Sequence, residues 1–145
     1  MVSTPIPTPG PYQPDPLMSA ELNRGVYLAE ALVHCGECHT RRTMTGAIDG
    51  AKWMAGTDDG PDGEIVPNIT PDAATGIGEW DLDDIELTLE TGITADGDVV
   101  GSLMAEVVEN GTSRLTASDR RAIALYLKSL TPIDNRLEVE DENLD

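Results

Sequence analysis

Apolar positions recur at helical spacing in three stretches of the chain. The first opens at Ser19, a side chain suited to capping a helix, and sets Leu22, Val26, Ala29 and Val33 on one face before running into Cys35. Gly25, on the same stretch, leaves room for a second helix to approach closely. The second stretch starts at Asp81, carries Leu82, Ile85 and Leu89, and stops at Gly92. The third has Thr116 as its cap with Asp119 three residues on, an apolar stripe of Ile123, Leu127 and Leu130, and Pro132 as its end. No segment alternates convincingly with a period of two, and there is no internal repeat. The expected class is therefore all-α, with three main helices. Residues 43–79 break the pattern: Pro61-Asp62-Gly63 and the run from Asp72 to Gly78 are turn signals. A stretch that long without periodicity belongs in a compact domain only if it wraps something.

The 145 residues suit one domain. Residues 1–18 contain six prolines (Pro5, Pro7, Pro9, Pro11, Pro14 and Pro16) and no Lys or Arg. They read as an extended linker of up to about 50 Å at ~3.1 Å per residue, leading to an anchor or a neighbouring domain. Residues 19–132 then form the domain, and 133–145 an acidic tail with Glu138, Glu140, Asp141, Glu142 and Asp145. No stretch approaches the roughly 20 apolar residues of a membrane span, and the start lacks the basic and apolar regions of an export signal. An anchor or signal, if the protein has one, is expected to be removed from this chain.

Composition changes the picture in two ways. With no Phe, two Trp and three Tyr, the core is thin unless a non-protein group fills it. The 27 acidic against 9 basic residues give a net charge of −18, and residues 21–133 alone hold 20 acids against 8 bases. A charge of that sign excludes ordinary nucleic-acid or anionic-bilayer binding and suits either steering of a basic partner or solubility.

The two cysteines stand in Cys35-Gly36-Glu37-Cys38, followed directly by His39. This is the pattern of c-type haem attachment. Two thiols at a short fixed separation at a helix end can add to the vinyl groups on one haem edge, leaving the adjacent imidazole under the iron. A zinc site lacks ligands, since only His34 remains beyond the cluster, and it lies too close in sequence to close a tetrahedron. A redox-active dithiol would need a βαβ setting that is missing. A plain disulfide is the weakest alternative. For the second axial position the candidates are Met44, Met54, Met104 and His34. Met44 and His34 lie close to His39 in sequence, and nothing in the glycine-rich wrap holds Met54. Met104 follows the second helix and precedes the last, so the chain can pass around the haem edge and return. The competing reading makes Met104 a core residue on a short helix at 103–108. Arg41 and Arg42 could meet a propionate or a partner carboxylate, or simply be surface charge.

These residues resemble the class I cytochromes c, and among them the single-haem modules of bacterial membrane-associated dehydrogenases and oxidases. The resemblance rests on Arg24-Gly25-Val26-Tyr27-Leu28-Ala29 leading into the haem motif, on Pro67-Asn68-Ile69-Thr70-Pro71-Asp72 with Thr75-Gly76-Ile77-Gly78-Glu79-Trp80, on Met104, and on residues 115–130. It implies a class I cytochrome c fold of helices and long loops around one covalently attached haem c. The first and last helices would cross where Gly25 meets the Tyr126 region. Met104 would be the distal ligand, and Trp80 would sit beside the haem with its indole N–H on a propionate. A loop carbonyl, that of Pro67, would accept the His39 Nδ1 proton, with Asn68 and Ile69 in the same haem-binding loop. The chain departs from many relatives in having Ala105, not Pro, after Met104, and a single attachment site where dehydrogenase subunits often string several.

The expected function is one-electron carriage in a respiratory or dehydrogenase chain, with no catalysis of its own. The alternatives are a haem enzyme or gas sensor with an open sixth site, or a haem subunit permanently docked in a larger complex. The expected partners are redox proteins meeting the haem edge through a basic or apolar surface, since Lys52 and Lys128 are the only lysines. Attachment of this kind is completed outside the cytoplasm, which points to the periplasm or the outer face of the membrane.

Overall fold

The last helix organises the others. In the computed structural model, which describes residues 10–137, the Thr116 hydroxyl accepts from the Asp119 N–H at 3.2 Å and starts a helix over Ala117–Ser129. Its buried face is Ala122, Ile123, Ala124, Tyr126 and Leu127. The first helix, Ala20–Val26, begins where Ser19 accepts from the Leu22 N–H at 3.1 Å. The two cross at Gly25, where a Cβ would lie 2.1 Å from the Ala122 carbonyl oxygen and 3.0 Å from Tyr126 Cβ. Only a hydrogen fits there. A third helix, Leu82–Thr91, opens with a reciprocal cap between Asp81 and Asp84 and closes at Gly92, whose φ of 77° suits glycine. It packs Ile85 and Leu89 into the same core.

We number these helices with the two remaining ones in chain order: α1 (Ala20–Val26), α2 (Cys35–His39), α3 (Leu82–Thr91), α4 (Ser102–Asn110) and α5 (Ala117–Ser129). Among the described residues there is no strand, only isolated bridges such as Thr40 with Gly56 and Thr57 with Val66. The wrap at residues 43–79 is indeed without periodicity, and it is held from inside by Asn68. That 3% exposed side chain accepts from the Thr70 N–H (2.9 Å) and hydroxyl (2.7 Å), and donates to the Thr75 hydroxyl (3.1 Å) and Ile133 carbonyl (2.8 Å).

Three features differ from the sequence expectation. The first helix does not run on as α-helix to Val33: Tyr27–Leu32 is π-helical. The wider turn buries Leu28 and Ala29 completely and leaves Leu32 52% exposed, a register that a 3.6-residue period does not describe. The three expected helices are joined by α4, which lacks a side-chain cap at Gly101 and buries only Val108 outright, so it carries little sequence signal. Residues outside 19–132 also take part in the packing. Of the expected linker, residues 1–9 lie outside the described residues, but Tyr12 is not free spacer. Its ring lies 5.7 Å from that of Tyr27, its hydroxyl donates to Asn23 (2.9 Å), and Met18 packs on the core. At the other end Asn135 donates to the Thr75 hydroxyl and the Ala55 carbonyl. The acidic residues Glu138, Glu140, Asp141, Glu142 and Asp145 lie outside the described residues.

Candidate cofactor site

His34 takes a left-handed conformation (φ 60°, ψ 41°), breaking the chain direction so that α2 can start at Cys35. Both thiols, unbonded to each other, and His39 then face one cleft. Its other walls are the loop from Pro61 to Pro67, α4 through Leu103, Met104 and Val107, and the core residues Leu89 and Ile123. The cleft holds about 990 Å³ of space, part of it open to solvent.

The imidazole of His39 is 7% exposed, and its Nδ1 lies 2.8 Å from the Pro67 carbonyl oxygen. A carbonyl only accepts, so the proton sits on Nδ1 and the lone pair on Nε2. Nε2 has no hydrogen-bond partner among the described residues, yet it is not a sealed, unsatisfied atom, so it opens onto the cleft. Burial pushes the His39 pKa down, against the opposing pull of the Pro67 bond, and keeps the ring in its neutral, ligating form. Desolvation, with the neighbouring Cys38 and Glu30 adding to it, pushes the Cys35 thiol up to about 12.

Behind α2 the ring of Trp53 lies flush against Gly36, where a Cβ would come within 2.2 Å of Cη2. Trp53 donates from Nε1 to the Tyr126 hydroxyl at 3.2 Å. Sequence reasoning gave Trp53 no role beyond packing; the glycine between the two cysteines was the available signal. Trp80, expected beside the cofactor, is half-buried against the core and does not line the cleft; its carbonyl accepts from Lys128 Nζ at 2.8 Å. Asn68 and Ile69 also lie behind the cleft wall, Asn68 in its buried network and Ile69 donating its N–H to the Met54 carbonyl. Arg41 pairs with Asp49 and Arg42 with Glu37, both on the surface. Of the axial candidates, Met44 is fully exposed and Met54 fully buried away from the cleft, whereas Met104 and His34 line it.

A flat, apolar prosthetic group with two reactive positions on one edge fits this arrangement. The cleft is walled mostly by carbon, two free thiols share its α2 side, a neutral imidazole nitrogen opens into it, and a thioether enters from α4. A bare metal ion does not fit, since among the described residues no group of three or more His, Cys, Asp or Glu side chains is placed so that it could hold one.

No protein-family model matches the chain. It is 46% identical over 118 residues to a diheme c-type cytochrome of Cereibacter sphaeroides, covering 81% of this chain and 38% of that protein. It is 40% identical over 120 residues to the fructose dehydrogenase cytochrome subunit of Gluconobacter japonicus, covering 83% and 24%. It is 38% identical over 125 residues to the gluconate 2-dehydrogenase cytochrome c subunit of Pantoea cypripedii, covering 82% and 28%. The chain thus spans between about a quarter and two-fifths of the length of these relatives. Fold, site and similarity together define a c-type cytochrome. The chain is one all-α module of that kind, and Cys35, Cys38 and His39 have the spacing at which haem c would be attached and held.

Proposed function

We propose that this module carries single electrons for a dehydrogenase or related respiratory complex, with His39 as proximal and Met104 as distal ligand, and performs no catalysis itself. Bound haem supplies the iron(III)/iron(II) couple. The protein's part is to hold that couple still: Pro67 fixes the His39 tautomer and ring plane, and the apolar walls exclude water. The observation that carries the reading is the His39 Nδ1 bond to Pro67 in the same cleft that Met104 enters. With both axial positions filled from the chain, no substrate would reach the metal.

The net charge of −18 supports a partner with a basic or apolar docking face. Lys128 is engaged by the Ile77, Gly78 and Trp80 carbonyls, and Arg41 and Arg42 are ion-paired, so these three are already held by the chain's own groups. In the basic case, association slows as salt rises. The resemblance to dehydrogenase cytochrome subunits supports a site of action in the periplasm or on the outer face of the membrane. Because the chain matches only part of those subunits, a module permanently docked in a larger complex is the second reading.

The test is the optical spectrum of the oxidised protein. Native protein should show a weak sulfur-to-iron charge-transfer band that Met104→Ala abolishes, and should bind cyanide or carbon monoxide slowly or not at all. A band that survives in Met104→Ala, or rapid ligand binding by the native protein, overturns the assignment.

A further inference from the structure

The haem motif is backed by a directed chain of buried hydrogen bonds that electron carriage as described above does not require. Trp53, whose ring covers Gly36, donates to the Tyr126 hydroxyl, and Tyr126 donates in turn to the Glu30 carboxylate. Every hydrogen points toward Glu30, so the chain ends on a negative charge. Glu30 is placed there by the π-helical segment Tyr27–Leu32, whose wider turn brings a half-buried carboxylate onto the fully buried Tyr126. Such segments cost backbone regularity and recur at functional sites. The charge of Glu30 is felt at Cys35, one of the two attachment points, as well as at Tyr12 and Tyr126.

We propose that Glu30 is a positioning and charge-setting residue of the electron-transfer site: pinned by the Tyr126 hydroxyl, its carboxylate holds a fixed negative charge beside the Cys35 edge of the cleft. The inference rests on haem-based electron carriage as read above. A negative charge near the iron stabilises the more positive, oxidised form, so Glu30 holds the reduction potential down. Pinning matters because a carboxylate free to swing into solvent would be screened.

The experiment equilibrates haem-loaded protein with a redox dye of known potential at pH 8, on the alkaline side because burial pushes the Glu30 pKa up. Glu30→Gln keeps an acceptor for Tyr126 and removes the charge, and should move the reduced-to-oxidised ratio toward reduced by about threefold to tenfold. Tyr126→Phe removes the pin and should move it the same way by less, which gives an independent reading should the first variant fold poorly. A ratio unchanged within about 1.5-fold in Glu30→Gln, even with a lowered melting temperature, means that Glu30 is only structural and overturns the proposal. A shift toward oxidised overturns it too. Colourless, haem-free native protein would instead overturn the reading of the site itself.

Discussion

Replacing Gly25 by alanine should separate the two helices on which the cleft is built. A Cβ at this position would stand 2.1 Å from the Ala122 carbonyl oxygen and 2.8 Å from its carbon. Carbon and oxygen rest comfortably at about 3.3 Å, so α1 and α5 must part by about 1 Å along that line. Neither side can yield by a rotamer change, because the obstacle is backbone. Parting the helices loosens the contacts of Val26, Leu28 and Ala29 with Ile123 and Tyr126, all in one buried cluster. Overpacking of this kind costs 1–3 kcal/mol, and a backbone clash sits at the upper end, about 3 kcal/mol. For a domain of this size that corresponds to a fall of roughly 12 °C in melting temperature. Thermal unfolding of the haem-loaded protein, followed by circular dichroism, measures it. Gly50→Ala is the control, since nothing lies within 4 Å of its Cβ position, and it should melt within about 1 °C of native. A Gly25→Ala protein melting within about 3 °C of native would show that the crossing is looser than described and that the argument is wrong.

Two further variants probe the wrap and the α1–α5 surface. Asn68→Ala removes a buried carboxamide that ties Thr70, Thr75 and Ile133 together and leaves their polar groups unpaired, so it should cost about 2–4 kcal/mol in urea unfolding. An unchanged midpoint would mean that water replaces the carboxamide. The Arg24 guanidinium, hydrogen-bonded to Asp119, holds that carboxyl below its usual range. Its stabilisation is therefore fully present above the ordinary aspartate pKa and is lost as pH falls through the lowered folded value. Melting temperature followed from neutral pH into the acid range should thus fall less steeply in Asp119→Asn than in native protein, and parallel curves would discount the pair.

The helix starts at Ser19, Asp81 and Thr116, the stop at Gly92 and the attachment motif at Cys35 to His39 were all legible in the amino-acid string. Each is decided by groups within a few residues of one another, such as Thr116 with Asp119 or Asp81 with Asp84. The all-α class followed from the same local periods. Other features depended on partners far along the chain. The π-helical turn exists because Leu28 and Ala29 both pack into the core beside α5, and Glu30 faces Tyr126, 96 residues away. Trp53 backs the cysteines because Gly36 admits its ring and Tyr126 takes its N–H. Tyr12 and Asn135 dock, although local composition reads as linker and tail, because Asn23 and Thr75 offer them partly buried hydrogen bonds. Hydrogen bonds closed within one helical turn are written in neighbouring letters, whereas contacts between segments are settled only when packing chooses which surfaces meet.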